Sequence, residues 1–152
     1  MLLFATAALE ELPRGAVFNV TVFGDSTTTL FSRHVRKTPR RLRAAVAFLR
    51  ACKANLGTTN VEAVLAAAGW RTRAGASVAY MLISDGEFVD QERVVETACR
   101  DSPRVFCFGV GDHCQRHHLV HLARATRAAA CFPEAKRKST WQVCVCVLCV
   151  CV

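Results

Sequence analysis

"YMLISDGEFVDQERVVE", residues 80–96, decides the fold class. It continues an apolar run, "SVAYMLISDG" (77–86), that is too short for a buried helix and stops at the turn signal Asp85-Gly86-Glu87. Such a run reads as a strand buried on both faces. Just beyond it, Asp90 can cap a helix over 90–100 whose apolar face is Val94, Val95 and Ala98. A buried strand, a turn and an amphipathic helix make one unit of an α/β sheet. Asp85 then stands at the carboxyl end of a strand, the edge where open α/β sheets bind ligands. Three uses are open to it there: a turn, a general base, or a metal ligand.

Two further runs share the style of the first, "AVFNVTVFG" (16–24) and "RVFCFGVG" (104–111), both rich in β-branched or aromatic residues and both ending at Gly. Helical periodicity fills the intervals. Leu42, Ala45, Val46, Leu49 and Leu56 form a stripe in 40–56, and Val61, Val64, Leu65 and Ala68 form one in 59–69, where Gly69 can end the helix. In 115–127 the stripe is Leu119, Leu122, Ala123 and Thr126. "STTTLF" (26–31) reads as a short edge strand in a hairpin. Strands alternating with helices predict an α/β fold, doubly wound, with a mostly parallel sheet and helices on both faces.

The length, 152 residues, suits one domain, and a 52% hydrophobic content excludes a disordered chain. The net charge of +8 is concentrated in "RHVRKTPRRLR" (Arg33–Arg43) and "KRK" (Lys136–Lys138). The first cluster lacks interleaved aromatics and half of it is the outer face of one helix, so a solvated face is expected and no nucleic acid. Five of the nine cysteines are scattered through apolar segments, which favours reduced thiols and an intracellular, reducing compartment over a disulfide framework. "MLLFATAAL" lacks the basic start of a signal peptide and reads as part of a helix, and no stretch has the length of a membrane span. The other four cysteines lie in the closing "VCVCVLCVCV", the alternation a translated TGTGTG tract produces. Residues 133–152 are therefore expected to be a basic, then Cys-Val low-complexity tail, disordered or a gene-model artefact, and outside the domain. Its C-x-C-x-x-C-x-C spacing also resembles half of a thiolate metal site, a weaker reading.

Thr59, in "LGTTN" (56–60), can converge with Asp85 at the carboxyl edge of the sheet. A hydroxyl and a carboxylate, with water completing the shell, suit a hard cation such as Mg²⁺. Structural uses compete, since Thr59-Asn60-Val61-Glu62 matches a capping box and Asp85-Gly86 a tight turn. "HCQRHHLVH" places His113, Cys114, His117, His118 and His121 within nine residues, with His117 and His121 one helical turn apart, a spacing able to hold Zn²⁺, but a solvated helix face with incidental metal affinity is the favoured reading. Gly109-x-Gly111 lacks the third glycine of a dinucleotide fingerprint, and gives only a weak second reading as a nucleotide-binding α/β enzyme fragment. No Ser/His/Asp, Cys/His or paired-carboxylate set emerges, so an enzyme is not expected.

"GAVFNVTVFGDSTTTLF", "LGTTNVEAVL", "YMLISDGEFVDQERVVE" and "RVFCFGVGDHCQRHHLVHLARATR" together resemble the von Willebrand factor type A domain. They are most similar to the branch found in inter-alpha-trypsin inhibitor heavy chains and the von Willebrand A domain-containing protein 5 group. The resemblance covers residues 1–132. It implies a Rossmann-like fold with a metal-ion-dependent adhesion site at the top of the sheet, where a protein partner's acidic side chain completes the coordination of a divalent ion. In that family the site draws on D-x-S-x-S after the first strand, a Thr in a later loop and an Asp after a further strand. Thr59 matches the second motif and Asp85 the third; by the family's pattern Thr59 would bind directly and Asp85 often through water. No D-x-S-x-S occurs in this chain. The resemblance thus implies an N-terminally truncated domain that begins inside the family's first helix and lacks the first, central strand. The strands flanking that gap are expected to pair directly or stay unpaired, and an isolated partial product would have no independent function.

Overall fold

In the computed structural model of the chain, which describes residues 2–24, 27–52, 61–67, 78–100, 104–133 and 145–151, the apolar run of the opening quotation is a strand. The elements in chain order are α1 (Leu2–Glu11), β1 (Val17–Phe23), β2 (Thr27–Thr29), β3 (Val35–Arg36), α2 (Pro39–Ala51), α3 (Val61–Ala67), β4 (Val78–Ser84), α4 (Gln91–Arg100), β5 (Arg104–Gly109), α5 (Arg116–Ala125), β6 (Ala130–Cys131) and β7 (Val145–Cys151). The sheet runs β2-β1-β7-β4-β5-β6, with β3 also pairing with β1. β4, β5 and β6 are parallel neighbours, in a register that sets Tyr80 against Val105 and Cys107 against Ala130. β2, the predicted edge strand, is antiparallel to β1.

Two cores explain why β4 is apolar at consecutive positions. Successive strand residues face opposite sides of the sheet. Tyr80 and Leu82 belong to a core with Val64 and Leu65 of α3, Val94 and Ala98 of α4, and Leu119 and Leu122 of α5. Ile83 belongs to the other, with Leu9 of α1, Phe18 and Val20 of β1, and Ala45 and Leu49 of α2. Helices therefore cover both faces, as the alternation of elements predicts. No helix among the described residues is long and apolar enough to cross a membrane.

The helix ends have local causes. Thr38 Oγ1 accepts the Arg41 N–H at 3.3 Å and Pro39 opens α2, while Asp90 Oδ1 accepts the Arg93 N–H at 3.0 Å before α4. Within the basic run, Lys37 Nζ donates to the Glu10 and Leu12 carbonyls, each at 2.6 Å, and so satisfies the end of α1. Thr126, read as part of an apolar stripe, uses its hydroxyl to accept from Val105 N at 3.2 Å and to donate to Leu122 O at 2.9 Å, tying the end of α5 to β5.

One expectation is corrected at the centre of the sheet. β1 and β4 flank the predicted gap, but they neither pair directly nor stand unpaired: β7 lies between them, antiparallel to both. Residues 145–151 thus lie inside the fold rather than in a disordered tail. Alternation of two residue types has the period of a strand, and a slot between two unsatisfied edges captures such a segment whatever its origin.

Cys107, on β5, is fully buried, and that burial pushes its thiol up to about 12 from 9.0. Its folded value exceeds its unfolded one, so the associated stability is intact below about pH 9 and is lost as pH rises toward 12. Chemical denaturation across that range should show stability falling by up to about 1.4 kcal/mol per pH unit. Cys107→Ala should flatten this alkaline limb.

Candidate functional site

Asp85 stands immediately after β4, at its carboxyl end, beside the loop that leads from β5 into α5. The turn is built by its own polar groups. Ser84 Oγ, fully buried, accepts the Gly86 N–H at 3.0 Å, and Asp85 Oδ1 accepts the Glu87 N–H at 3.2 Å. Backbone bonds tie it to the next crossover: Gln115 N to Asp85 O at 2.6 Å and Val110 N to Ser84 O at 3.0 Å. His118 adds a side-chain tie, its Nδ1 lying 2.9 Å from Gly86 O, with its ring stacked 5.9 Å from that of Phe88. Of the large apolar side chains, Val89 is exposed, at 77%. The result is a braced loop that holds one carboxylate at the sheet edge and offers Val89 to solvent.

Asp85 also acts on its surroundings. Burial, and secondly the Asp85 charge, push the Cys114 thiol up, against the opposing effects of Arg116 and a Val110 backbone hydrogen bond. A thiol held in this way is a poor nucleophile at neutral pH. The base reading of Asp85 gains no partner from this neighbour.

Thr59 lies outside the described residues, as do Leu56 and Gly69, so only the Asp85 half of the predicted pair has a described place. No group of three or more His, Cys, Asp or Glu able to hold a metal ion occurs among the described residues. A lone carboxylate with one oxygen engaged by Glu87 N–H does not supply the six or so oxygen ligands that a tightly held divalent cation needs. The described residues therefore do not fit a bound cation on their own.

The histidines are placed by structure rather than by a shared ligand. His118 braces Gly86, His121 Nδ1 lies 3.0 Å from Gln91 Nε2 of α4, and His113 and His117 are exposed. Gly109 ends β5, and a Cβ there would overlap the Phe132 ring and stand 2.7 Å from Cys114 Sγ. The space its missing side chain leaves is thus taken by packing, which weakens the phosphate-loop reading. Ser84 was not singled out from sequence, and His118 stood there only as one member of a histidine cluster. Ser84 two residues before a glycine is a legible hydroxyl-turn signal, whereas the reach of His118 to Gly86 needs the crossover geometry.

The profile of the von Willebrand factor type A domain matches residues 3–132. The mouse protein named von Willebrand factor A domain-containing protein 5A is 30% identical over 131 residues, covering 84% of this chain and 16% of that protein. The human protein of the same name is 28% identical over 132 residues, with 84% and 17% covered. The chain therefore spans about a sixth of the length of the curated relatives it matches. Among solved structures, an aerotolerance-related membrane protein from Bacteroides fragilis superposes with a TM-score of 0.70 at 14% identity, covering 88% of this chain and 79% of the other. Manganese-loaded TRAP protein from Plasmodium vivax superposes at 0.62 with 21% identity, covering 98% and 67%. At these identities the two structures speak to the fold alone.

Proposed function

The chain belongs to the von Willebrand factor type A domain family, and from that premise we propose that it is a non-catalytic protein-interaction module whose intact form engages a partner's acidic side chain through a divalent cation. The observation that carries this reading is the position of Asp85: after β4, at the carboxyl edge of the parallel β4-β5-β6 part of the sheet, on a loop braced by Ser84, Gln115 and His118. A carboxylate held on a rigid scaffold at that edge suits cation-mediated recognition, because little ordering remains to be done on binding. The manganese in the TRAP structure supports a metal-dependent mode in a protein of the same fold.

In this chain the site is incomplete. Asp85 and Thr59 match two of the family's three motifs, and D-x-S-x-S is absent from the sequence. Mg²⁺ would be held weakly by two oxygen-bearing positions, since tight divalent binding needs a fuller oxygen shell. We accordingly read cation-mediated recognition as depending on a D-x-S-x-S motif that these 152 residues do not contain.

Grafting an apolar strand ending in Asp-x-Ser-x-Ser before Met1, with residues 143–152 removed so that the slot between β1 and β4 is free to receive it, and titrating Mg²⁺ by calorimetry tests this reading. The grafted chain should bind with at least tenfold higher affinity than the parent, a difference of about 1.4 kcal/mol. Asp85→Ala and Thr59→Ala should each remove most of that gain, and should have little effect in the ungrafted parent, where there is little binding to lose. Tight Mg²⁺ binding by the parent chain would sink the proposal.

A further inference from the structure

We infer that the slot between β1 and β4 is a strand-binding site, and that its incoming occupant is Val145–Cys151 of a second copy of this chain, so that two copies exchange this strand. β1 and β4 run in the same direction without pairing, and β7 lies between them, from Val17↔Cys151 to Phe23↔Val145 on one side and from Val78↔Cys151 to Ile83↔Cys146 on the other. Phe18, Val20 and Phe23 of β1 and Tyr80, Leu82 and Ile83 of β4 are all buried at 2% exposure or less, and they feed both cores. An empty slot would open both cores and orphan two rows of backbone donors and acceptors. The slot therefore demands an occupant.

The resident segment specifies that pairing poorly. Residues 143–152 read VCVCVLCVCV, and read backwards they give VCVCLVCVCV, which differs only at the central Val147 and Leu148. The same residue types are therefore offered in nearly the same order from either direction. Strands whose sequence does not fix register are prone to slippage and to exchange between chains. An identical strand from a second copy meets the same ladder at no pairing cost, which makes swapping an inexpensive route to a dimer. Reach is no obstacle, because the eleven residues 134–144 can span up to about 36–40 Å when extended, more than the ~30 Å diameter of a small domain.

The test uses the full chain with either of two affinity tags, under reducing conditions. Co-refolding the two versions at high concentration should give dimers of which the statistical half carry both tags. Mixing separately folded samples should give such dimers only slowly, on the timescale of unfolding. V17C, in a background with Cys144, Cys146 and Cys149 changed to Ser, locates the contact, since Val17 and Cys151 are direct register partners. On oxidation the V17C–Cys151 disulfide should join differently tagged chains. Monomers at every concentration would overturn the inference. So would mixed dimers formed at once from folded samples, or a disulfide found only within single chains. Should V17C fail to fold, the contrast between co-refolded and mixed samples still decides.

Discussion

Gly86→Ala lowers the stability of the fold by about 3 kcal/mol, the sum of two separable costs. Gly86 has φ +80°, a left-handed conformation in which an L side chain costs roughly 1–2 kcal/mol. A Cβ there would also lie 2.7 Å from Gln115 O and 3.1 Å from Leu119 Cγ. The first of these is backbone, fixed by the Gln115 N to Asp85 O bond, so it cannot swing aside, and overpacking of this kind costs about 1–3 kcal/mol. For a domain of this size the loss should lower the melting temperature by roughly 6–12 °C. Gly111→Ala is the matched control: φ is +99°, but nothing lies within 4 Å of the added Cβ. Only strain remains, and the cost should be about 1 kcal/mol. Equal costs at the two positions would mean that the close approach of the Asp85 turn to α5 does not persist in solution.

That pair of glycines shows where sequence reading reaches its limit. The turn at Asp85-Gly86 was readable because a buried strand must end at residues that tolerate a reversal, and Asp-Gly is such a pair. Strands β1, β4 and β5 were readable from their β-branched and aromatic content, and α2, α4 and α5 from period 3.6. The closeness of Gln115 to Gly86 could not be read, since it arises from the parallel pairing of β4 with β5 across a helical crossover. His118 was visible only as one of several histidines, because its partner, a carbonyl at Gly86, lies 32 residues away. Thr59 has no described position, so its convergence with Asp85 remains part of the proposal.

The place of Val145–Cys151 in the sheet could not be read for a different physical reason. Fold-specific information in a strand lies in which residues are large, small or polar at each register position. A Val-Cys alternation carries almost none of it, so composition alone cannot say whether such a segment pairs. The demand of the sheet decides instead: β1 and β4 leave a gap one strand wide, and Val145–Cys151 fits its length. β6, only Ala130–Cys131, is likewise too short to carry a pattern of its own.

Leu148→Pro should be the most damaging single change in the chain, costing more than about 3 kcal/mol. Leu148 is the mid-strand position of β7, in register with Val20 of β1 and Met81 of β4. Proline there removes a donor from the ladder and fixes φ near −65°, far from the extended value that a strand bonded on both sides requires. Central strands have no solvent side on which to hide the defect, which is why proline is confined to edges and bulges. Thr29→Pro provides the contrast. Thr29 lies on the edge strand β2, and since Leu30 N donates to Val20 O, alternation turns the Thr29 N–H away from β1. Its main loss is the Thr21–Thr29 hydroxyl bond of 3.0 Å, worth about 1 kcal/mol. Circular dichroism melts should show Leu148→Pro losing the cooperative transition while Thr29→Pro shifts it by a few degrees. A Leu148→Pro chain that melts like the parent would mean that β1 and β4 are joined without β7, and the exchange of that strand between copies would then have no slot to act through.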